Sequence, residues 1–85
     1  MAKYSVRFRS SVAKDLRPIP KSDVERILRR IDQLADNPRV FGAEKLSDQE
    51  KYRVRQGNYR IIYEIQDDVL IVVVVQVGHR REVYR

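Results

Sequence analysis

Apolar and polar side chains alternate through residues 52–63, with the sequence YRVRQGNYRIIY, on either side of a central Gly57-Asn58 pair. Such a pair favours a two-residue β-hairpin loop, in which we expect both central residues to have positive φ. Because side chains alternate between the two faces of a strand, this hairpin separates its arginines from its apolar residues. One face carries Arg53, Arg55 and Arg60, and the other carries Tyr52, Val54, Ile61 and Tyr63. We expect the second face to lie in the core.

Two helices are predicted before the hairpin. Ser10 or Ser11 can cap a short helix over the apolar residues between positions 12 and 16, and Pro18 and Pro20 end it. A longer helix follows, because apolar residues recur at helical spacing between positions 24 and 35. Its apolar face consists of Val24, Ile27, Leu28, Ile31, Leu34 and Ala35, and its polar face carries Arg26, Arg29 and Arg30.

The ends of the longer helix have their own signals. Ser22 and Glu25 have the spacing of a capping box, in which each side chain satisfies the other residue's backbone N–H. Asn37-Pro38 ends the helix. We interpret residues 38–50 as an ordered loop that leads into the hairpin.

Strands are predicted at both ends of the chain. Residues 4–8 alternate as a half-buried strand. Asp67-Asp68 is typical of a turn joining residues 59–66 to residues 69–77, whose unbroken apolar run predicts a strand buried on both faces. The predicted fold is α+β, with one N-terminal strand, two helices and a three-stranded antiparallel meander, the helices packing on one sheet face. At this length we expect residues 1–85 to form a single domain.

The composition narrows the possible functions. The chain has 18 Lys and Arg against 12 Asp and Glu, a net charge of +6 that attracts polyanions and acidic proteins. Without cysteine, and with His79 as its one histidine, it offers no disulfide and no plausible zinc site, so we predict no metal and no cofactor. The apolar run Val69–Val75 is too short to span a bilayer, and the N-terminus lacks a signal-peptide apolar core. We therefore expect a cytoplasmic protein that does not associate with a membrane.

The pairing of Arg55 with Arg60 needs an explanation. Like charges directly opposite each other destabilise a strand pair by roughly 0.2–1 kcal/mol. Guanidinium groups present a fork of donors that matches phosphate, so a phosphodiester backbone is the first candidate for this face. The alternatives are a solvated basic surface and a face that receives the carboxylates of a partner.

Two motifs resemble those of the RelE toxins of bacterial and archaeal toxin–antitoxin pairs, within the RelE/ParE superfamily. The first runs from Tyr52 to Tyr63, and the second, VGHRREVY, runs from Val77 to Tyr84. The order of elements is also similar over nearly the whole chain. The resemblance implies an mRNA interferase, an endoribonuclease that enters the ribosomal A site and inhibits translation. It cuts mRNA without a metal, by attack of the 2′-hydroxyl on the neighbouring phosphate.

This reaction needs a base for the 2′ proton, cations for the phosphoryl oxygens and an acid for the leaving 5′ oxygen. The resemblance matches Arg53 and Arg55 to catalytic lysines, with a further role in substrate binding, and matches Arg60 to an arginine. Arginine stays protonated in proteins, so neither Arg53 nor Arg55 can be the base. Arg80 matches a second arginine of the family, and Tyr84 matches a functional tyrosine. Tyr84 can act as the acid, stack on a base, or be packed against the protein.

Two residues are candidates for the general base. His79 is the first, because histidine changes charge near neutral pH and some family members use a histidine at about this place. The alternative for His79 is a side chain that merely contacts RNA or solvent. Glu44 is the rival base, since a family member has a functional glutamate in the matching loop, although loop glutamates are usually solvated.

The sequence does not determine on which face of the sheet the residues of the second motif lie. If alternation continued unbroken past Val77, His79 and Arg81 would share the face of the hairpin arginines, and Arg80 would not. A bulge at Gly78 would reverse this arrangement. Following the resemblance, we predict a catalytic Arg80 and a substrate-binding Arg81.

Two other functions compete with RNA cleavage. A ParE-like protein has the same fold but inhibits DNA gyrase by binding, and a degenerate toxin binds phosphate without cutting. The resemblance implies the same partner in each case, a cognate antitoxin that wraps around the toxin and connects it to operator DNA. For the nuclease, mRNA and the rRNA of the ribosomal A site are further partners.

Overall fold

The computed structural model describes residues 3–46 and 51–79, which form two helices and a five-stranded sheet. The elements are β1 (Ser5–Phe8), α1 (Ser11–Leu16), α2 (Lys21–Asp36), β2 (Glu44–Lys45), β3 (Lys51–Gln56), β4 (Tyr59–Gln66) and β5 (Ile71–His79). The strand order in the sheet is β1-β5-β4-β3-β2. β1 runs parallel to β5, whereas the other neighbours are antiparallel. The predicted α+β class is confirmed, and β1 takes the sheet edge beside β5.

The strand count differs from the prediction by one. Residues 44–45, which we expected in a loop, form the short edge strand β2 against β3, with Glu44 opposite Arg53. A two-residue strand is too short to show periodicity, so only its pairing with β3 defines it. This pairing matters for function because it fixes the position of Glu44.

The register of the β3–β4 hairpin is as predicted, with Arg55 opposite Arg60 and Val54 opposite Ile61. The expectation of positive φ at both loop residues is wrong for Asn58. Gly57 has a φ of 60°, whereas Leu70 is the sole described residue other than glycine with positive φ. This pattern fits a type II′ turn, in which only the first central residue needs positive φ.

The predicted capping box of the long helix does not form. α2 begins at Lys21 with Pro20 as its N-cap residue, and no side chain caps it. Because the helix starts one residue before Ser22, that serine lies inside the first turn. Ser10 takes the N-cap position of α1, although its side chain makes no capping bond either. α2 ends at Asp36, as Asn37-Pro38 predicts.

Both helices pack on one face of the sheet, where they enclose the core. The fully buried side chains include Ile27, Ile31 and Leu34 of α2, Val12 of α1, and Val54, Ile61, Tyr63, Val72 and Val74 of the sheet. We call the opposite side of the sheet the open face. Neither helix of the described residues has the length and apolar content that a bilayer span requires.

β5 contains an irregularity that changes which residues share a face. Ile62 pairs with Gln76 while Tyr63 pairs with Val74, so Val75 is an extra residue opposite the Ile62–Tyr63 step. Such a bulge reverses the alternation of the residues after it. The strand is also only half-buried on the open face, where Val73 is partly accessible, so the expectation of burial on both faces is wrong.

A network of polar side chains closes the end of the sheet away from the hairpin loop. Arg39 donates two hydrogen bonds to Asp67, at 3.1 and 2.9 Å, and its Nε donates to the Tyr52 hydroxyl at 3.2 Å. The Tyr4 hydroxyl donates to Asp67 at 2.7 Å. The Arg39 guanidinium and the Tyr4 hydroxyl together lower the pKa of Asp67 to about 2. This network connects the N-terminal segment, the loop after α2, β3 and the β4–β5 turn.

Candidate functional site

The three hairpin arginines lie together on the open face, and we call them the arginine cluster. Arg55 and Arg60 are directly opposite each other, and Arg53 lies two residues away on β3, opposite Ile62. The strands fix these positions because residues at i and i+2 project from the same face. The sequence prediction that these arginines share one face is confirmed.

The members of the cluster differ in exposure. Arg60 is only 5% exposed and the side chain of Arg53 is 18% exposed, whereas Arg55 is solvent-exposed. Placing one cation directly opposite another across a strand pair destabilises that pair. Sequences break such local rules mainly at functional sites. The pair Arg55–Arg60 is therefore the strongest structural indication that this face binds an anion.

A carboxylate lies beside the cluster. The pairing of β2 with β3 puts Glu44 opposite Arg53, and the Arg53 guanidinium donates a hydrogen bond to Glu44 Oε2 at 3.2 Å. The Glu44 side chain is 67% exposed, so one of its oxygens remains accessible to a substrate. The structure thus brings the rival base into the candidate site.

Further charged residues extend this surface. Glu64 lies on the open face between Lys51 and Val73, and it forms an ion pair with Arg9 at 3.6 Å. Arg7 lies opposite Val73 from the other side. Six basic residues and two carboxylates of the described chain therefore share the open face, an excess of four positive charges: Arg7, Arg9, Lys51, Arg53, Arg55 and Arg60 against Glu44 and Glu64. The residues from β1 escaped the sequence analysis because periodicity cannot tell which strand β1 pairs with.

His79 lies on the other side of the sheet. It pairs with Tyr59, and the two rings meet edge to face with centroids 5.9 Å apart. Both rings line a cavity of about 370 Å³ together with Lys14 and Asp15 of α1. The bulge at Val75 causes this placement, since it returns His79 to the helix side. The structure does not bring His79 to the arginine cluster.

Three predicted site residues, Arg80, Arg81 and Tyr84, lie outside the described residues. Up to residue 79, the structure shows which face of the sheet each residue of β5 lies on. The alternation reverses at Val75, three residues before the Gly78 bulge that we considered, so Gly78 pairs with Arg60 on the open face. Arg80 and Arg81 keep their predicted roles as predictions.

The chemistry available on the open face follows from these positions. Guanidinium groups bind phosphate oxygens and stabilise negative charge that develops on them, and a carboxylate can accept a proton. Across residues 3–46 and 51–79, no three His, Cys, Asp or Glu side chains are grouped as a metal site would need. The described face therefore offers anion binding and one neighbouring proton acceptor.

Comparison with known proteins gives a consistent family. Residues 6–84 match the family model described as the ParE toxin of the type II toxin–antitoxin system parDE. Toxin RelG of Mycobacterium tuberculosis is 30% identical over 84 residues, covering 96% of this chain and 97% of that protein. The mRNA interferase toxin RelE of Escherichia coli K12 is 29% identical over 86 residues, covering 95% and 90%.

Solved structures give the same result. The archaeal RelE–RelB complex from Pyrococcus horikoshii contains a chain that is 28% identical, with a TM-score of 0.77, covering 92% of this chain and 96% of that chain. The isolated E. coli RelE toxin has the same fold at 20% identity, with a TM-score of 0.79 and coverage of 89% and 83%. The motifs, the fold and these matches agree, and the chain belongs to the RelE/ParE family of toxins from type II toxin–antitoxin systems.

Proposed function

We propose that this toxin is a ribosome-dependent endoribonuclease that cuts mRNA in the A site, without a metal, by attack of the 2′-hydroxyl on the adjacent phosphate. The observation that carries the proposal is the arginine cluster, with Arg60 buried opposite Arg55 and with Glu44 beside Arg53. The similarity to a relative named mRNA interferase supports it. Such a toxin acts in the cytoplasm, where translating ribosomes are.

The arginines of the cluster have different proposed roles because they differ in solvent exposure. Arg60 is almost fully buried, so its side chain is fixed in place beside the position that we propose for the scissile phosphate. Arg55 is exposed and can close on the substrate from the solvent side. Both stabilise the additional negative charge on the phosphoryl oxygens as the 2′-oxygen attacks. The Arg80, Arg81 and Tyr84 side chains remain further candidates for phosphate binding and for the leaving-group proton.

Glu44 is the better placed of the two candidate bases. It lies on the face of the arginine cluster, and the hydrogen bond from Arg53 orients its carboxylate. His79 lies across the sheet against Tyr59, so a phosphate held between Arg55 and Arg60 is on the wrong side for it. We assign the removal of the 2′ proton to Glu44. His79 could act as the base only on an RNA strand that passes around the end of the sheet to its helix side.

The open face also offers a binding surface for an antitoxin that would inhibit the toxin. The archaeal RelE relative was solved in complex with RelB. We propose that a cognate antitoxin covers the arginine cluster with carboxylates, which would neutralise its excess positive charge and exclude RNA. Contact with operator DNA would then occur through the antitoxin. A complex structure that leaves Arg55 and Arg60 uncovered would refute this part of the proposal.

Primer extension on an mRNA translated in a purified system tests the nuclease proposal. We expect cuts within A-site codons that require ribosomes and that weaken by at least two orders of magnitude in Arg60→Gln. Glu44→Gln should lower the rate of cutting at saturating ribosomes, whereas His79→Gln should change it little. Absence of cuts from the folded wild-type protein at any dose would refute the proposal.

One observation favours a second function. The matching family model describes ParE toxins, and the competing hypothesis is that such a toxin inhibits DNA gyrase by binding. A gyrase supercoiling assay with the same preparation separates the two functions. Inhibition of supercoiling without ribosome-dependent cutting would establish the ParE-like alternative.

A further inference from the structure

A second basic site lies on the helix side of the sheet, behind the hairpin. It is a cleft of about 280 Å³ between α2 and the end of β3, and we call it the arginine cleft. Its lining consists entirely of polar side chains, namely Arg26, Arg29, Arg30, Gln33 and Gln56. None of these residues belongs to the open face.

The sequence builds this cleft from two periodicities. Residues 26, 29, 30 and 33 follow the three- and four-residue spacing that places side chains on one side of a helix. Gln56 is the last residue of β3 and shares the helix-facing side with Val54. Its neighbour Arg55 projects from the opposite face. Two basic sites therefore lie back to back on either side of the same strand end.

The arginines of the cleft have unused hydrogen-bonding capacity. Arg30 donates to the Gln33 side chain at 2.9 Å, which holds its guanidinium in place, while its Nε is buried and has no hydrogen-bond partner. Arg29 is exposed, and its side chain makes no hydrogen bond or ion pair with residues 3–46 or 51–79. Arg26 pairs with Asp23 at 3.2 Å at the rim. No carboxylate lines the cleft, so its three arginines give the lining a net positive charge.

We propose that the arginine cleft binds a phosphate of an RNA backbone, in a segment other than the one held by the arginine cluster. The lining favours RNA over an acidic protein. Protein interfaces are centred on apolar and aromatic anchors, whereas nucleic-acid interfaces are polar and strongly basic. The cleft has no apolar lining residue, whereas an apolar groove lies elsewhere, around Phe8, Leu16 and Leu28.

This inference deepens the proposed function and rests on it for the identity of the RNA. With phosphates bound on both faces, the tip of the hairpin lies between two RNA segments. The arginine cluster takes the strand to be cut, and the arginine cleft takes a structural RNA segment of the ribosome. The cleft therefore contributes to docking and leaves the chemical step to the open face.

Binding of a fluorescently labelled RNA stem–loop, measured by anisotropy over a series of KCl concentrations, tests the cleft without requiring cleavage. The variant is Arg29→Gln, which removes an exposed side chain without a partner in the described chain. The matched control is Lys21→Gln, which removes one exposed positive charge from the first residue of α2, about two helical turns away from Arg29 and outside the lining of the cleft. We expect Arg29→Gln to weaken binding by about tenfold at low salt and to reduce the salt slope by about one unit, with little change in Lys21→Gln.

A second measurement connects the cleft to the ribosome. In the cleavage assay, Arg29→Gln should raise the ribosome concentration needed for half-maximal cutting and leave the rate at saturation unchanged. Equal effects of Arg29→Gln and Lys21→Gln on RNA binding would overturn the proposal, because they would indicate a diffuse charge effect. A loss of antitoxin affinity with unchanged RNA binding would also overturn it. RNA binding that depends on Arg29 in a protein that cuts no mRNA would refute the nuclease proposal and uphold the cleft.

Discussion

Replacing Arg55 with glutamine should stabilise the fold while reducing RNA cleavage. Arg55 is exposed, its side chain makes no hydrogen bond or ion pair with residues 3–46 or 51–79, and it faces the buried Arg60. Like charges that face each other across a strand pair repel, and the repulsion is stronger where one of them is buried away from water. Glutamine removes the repulsion and keeps part of the side-chain stem.

We therefore expect Arg55→Gln to raise the free energy of unfolding by about 0.5–1 kcal/mol at low salt, in agreement with the usual range for opposed like charges. For a domain of this size the melting temperature should rise by about 2–8 °C. The gain should shrink in high salt, because screening reduces the repulsion in the wild-type protein. Urea unfolding and calorimetry at two salt concentrations measure these effects.

Arg7→Gln is the matched control for this experiment. Arg7 lies on the same face, and its loss changes the net charge equally, but it is opposite Val73 rather than a cation. Its stability should change by less than that of Arg55→Gln. If Arg55→Gln destabilises the protein, or if the two variants are stabilised by the same amount, the opposed arginines do not lower stability and do not indicate an anion site.

Three other predictions concern the scaffold of the site. The Tyr63 hydroxyl donates to the Pro38 carbonyl at 2.6 Å in the core, so Tyr63→Phe should lower the free energy of unfolding by about 1–3 kcal/mol in urea, whereas an unchanged value would exclude a stabilising bond. Leu34→Ala, at a fully buried position, should cost about 2–5 kcal/mol in the same assay, and a smaller loss would indicate that the core collapses into the space. Because the Arg39 guanidinium lowers the pKa of Asp67 from 3.8 to about 2, the stability that Asp67 adds should be complete above pH 3.8 and lost as the pH falls through about 2. Asp67→Asn should lack this part of the acid-induced fall in melting temperature, and an identical pH profile in both proteins would contradict the assignment.

The hairpin shows what local patterns can predict. Its loop, register and arginine face follow from a turn signal flanked by strict alternation, because each of these depends only on neighbouring residues. The same alternation predicted the core residues Tyr63 and Ile61. In this hairpin, where strict alternation flanks a turn signal, sequence and structure agree, whereas helical spacing alone put Leu28 on the apolar face of α2 although its side chain is exposed.

The position of His79 shows where local patterns fail. The apolar run before it has no alternation that could reveal the bulge at Val75, and one extra residue reverses the face of everything that follows. Glu44 lies in the site because it belongs to a two-residue strand, and only the pairing of that strand with β3 defines it. The arginine cleft could not be predicted from sequence, because its position depends on which side of α2 packs next to the end of β3. Each of these features depends on contacts between distant parts of the chain.

We propose that the arginine cluster on the open face holds the RNA that is cut. The most direct test compares single-turnover cutting of mRNA on programmed ribosomes by the wild-type protein, Arg55→Gln and Arg7→Gln. We predict that Arg55→Gln cuts at least tenfold more slowly at saturating ribosomes although it is the more stable protein, and that Arg7→Gln cuts at nearly the wild-type rate. Cutting at the wild-type rate by Arg55→Gln, or equal losses in the two variants, would show that the arginine cluster does not hold the RNA that is cut.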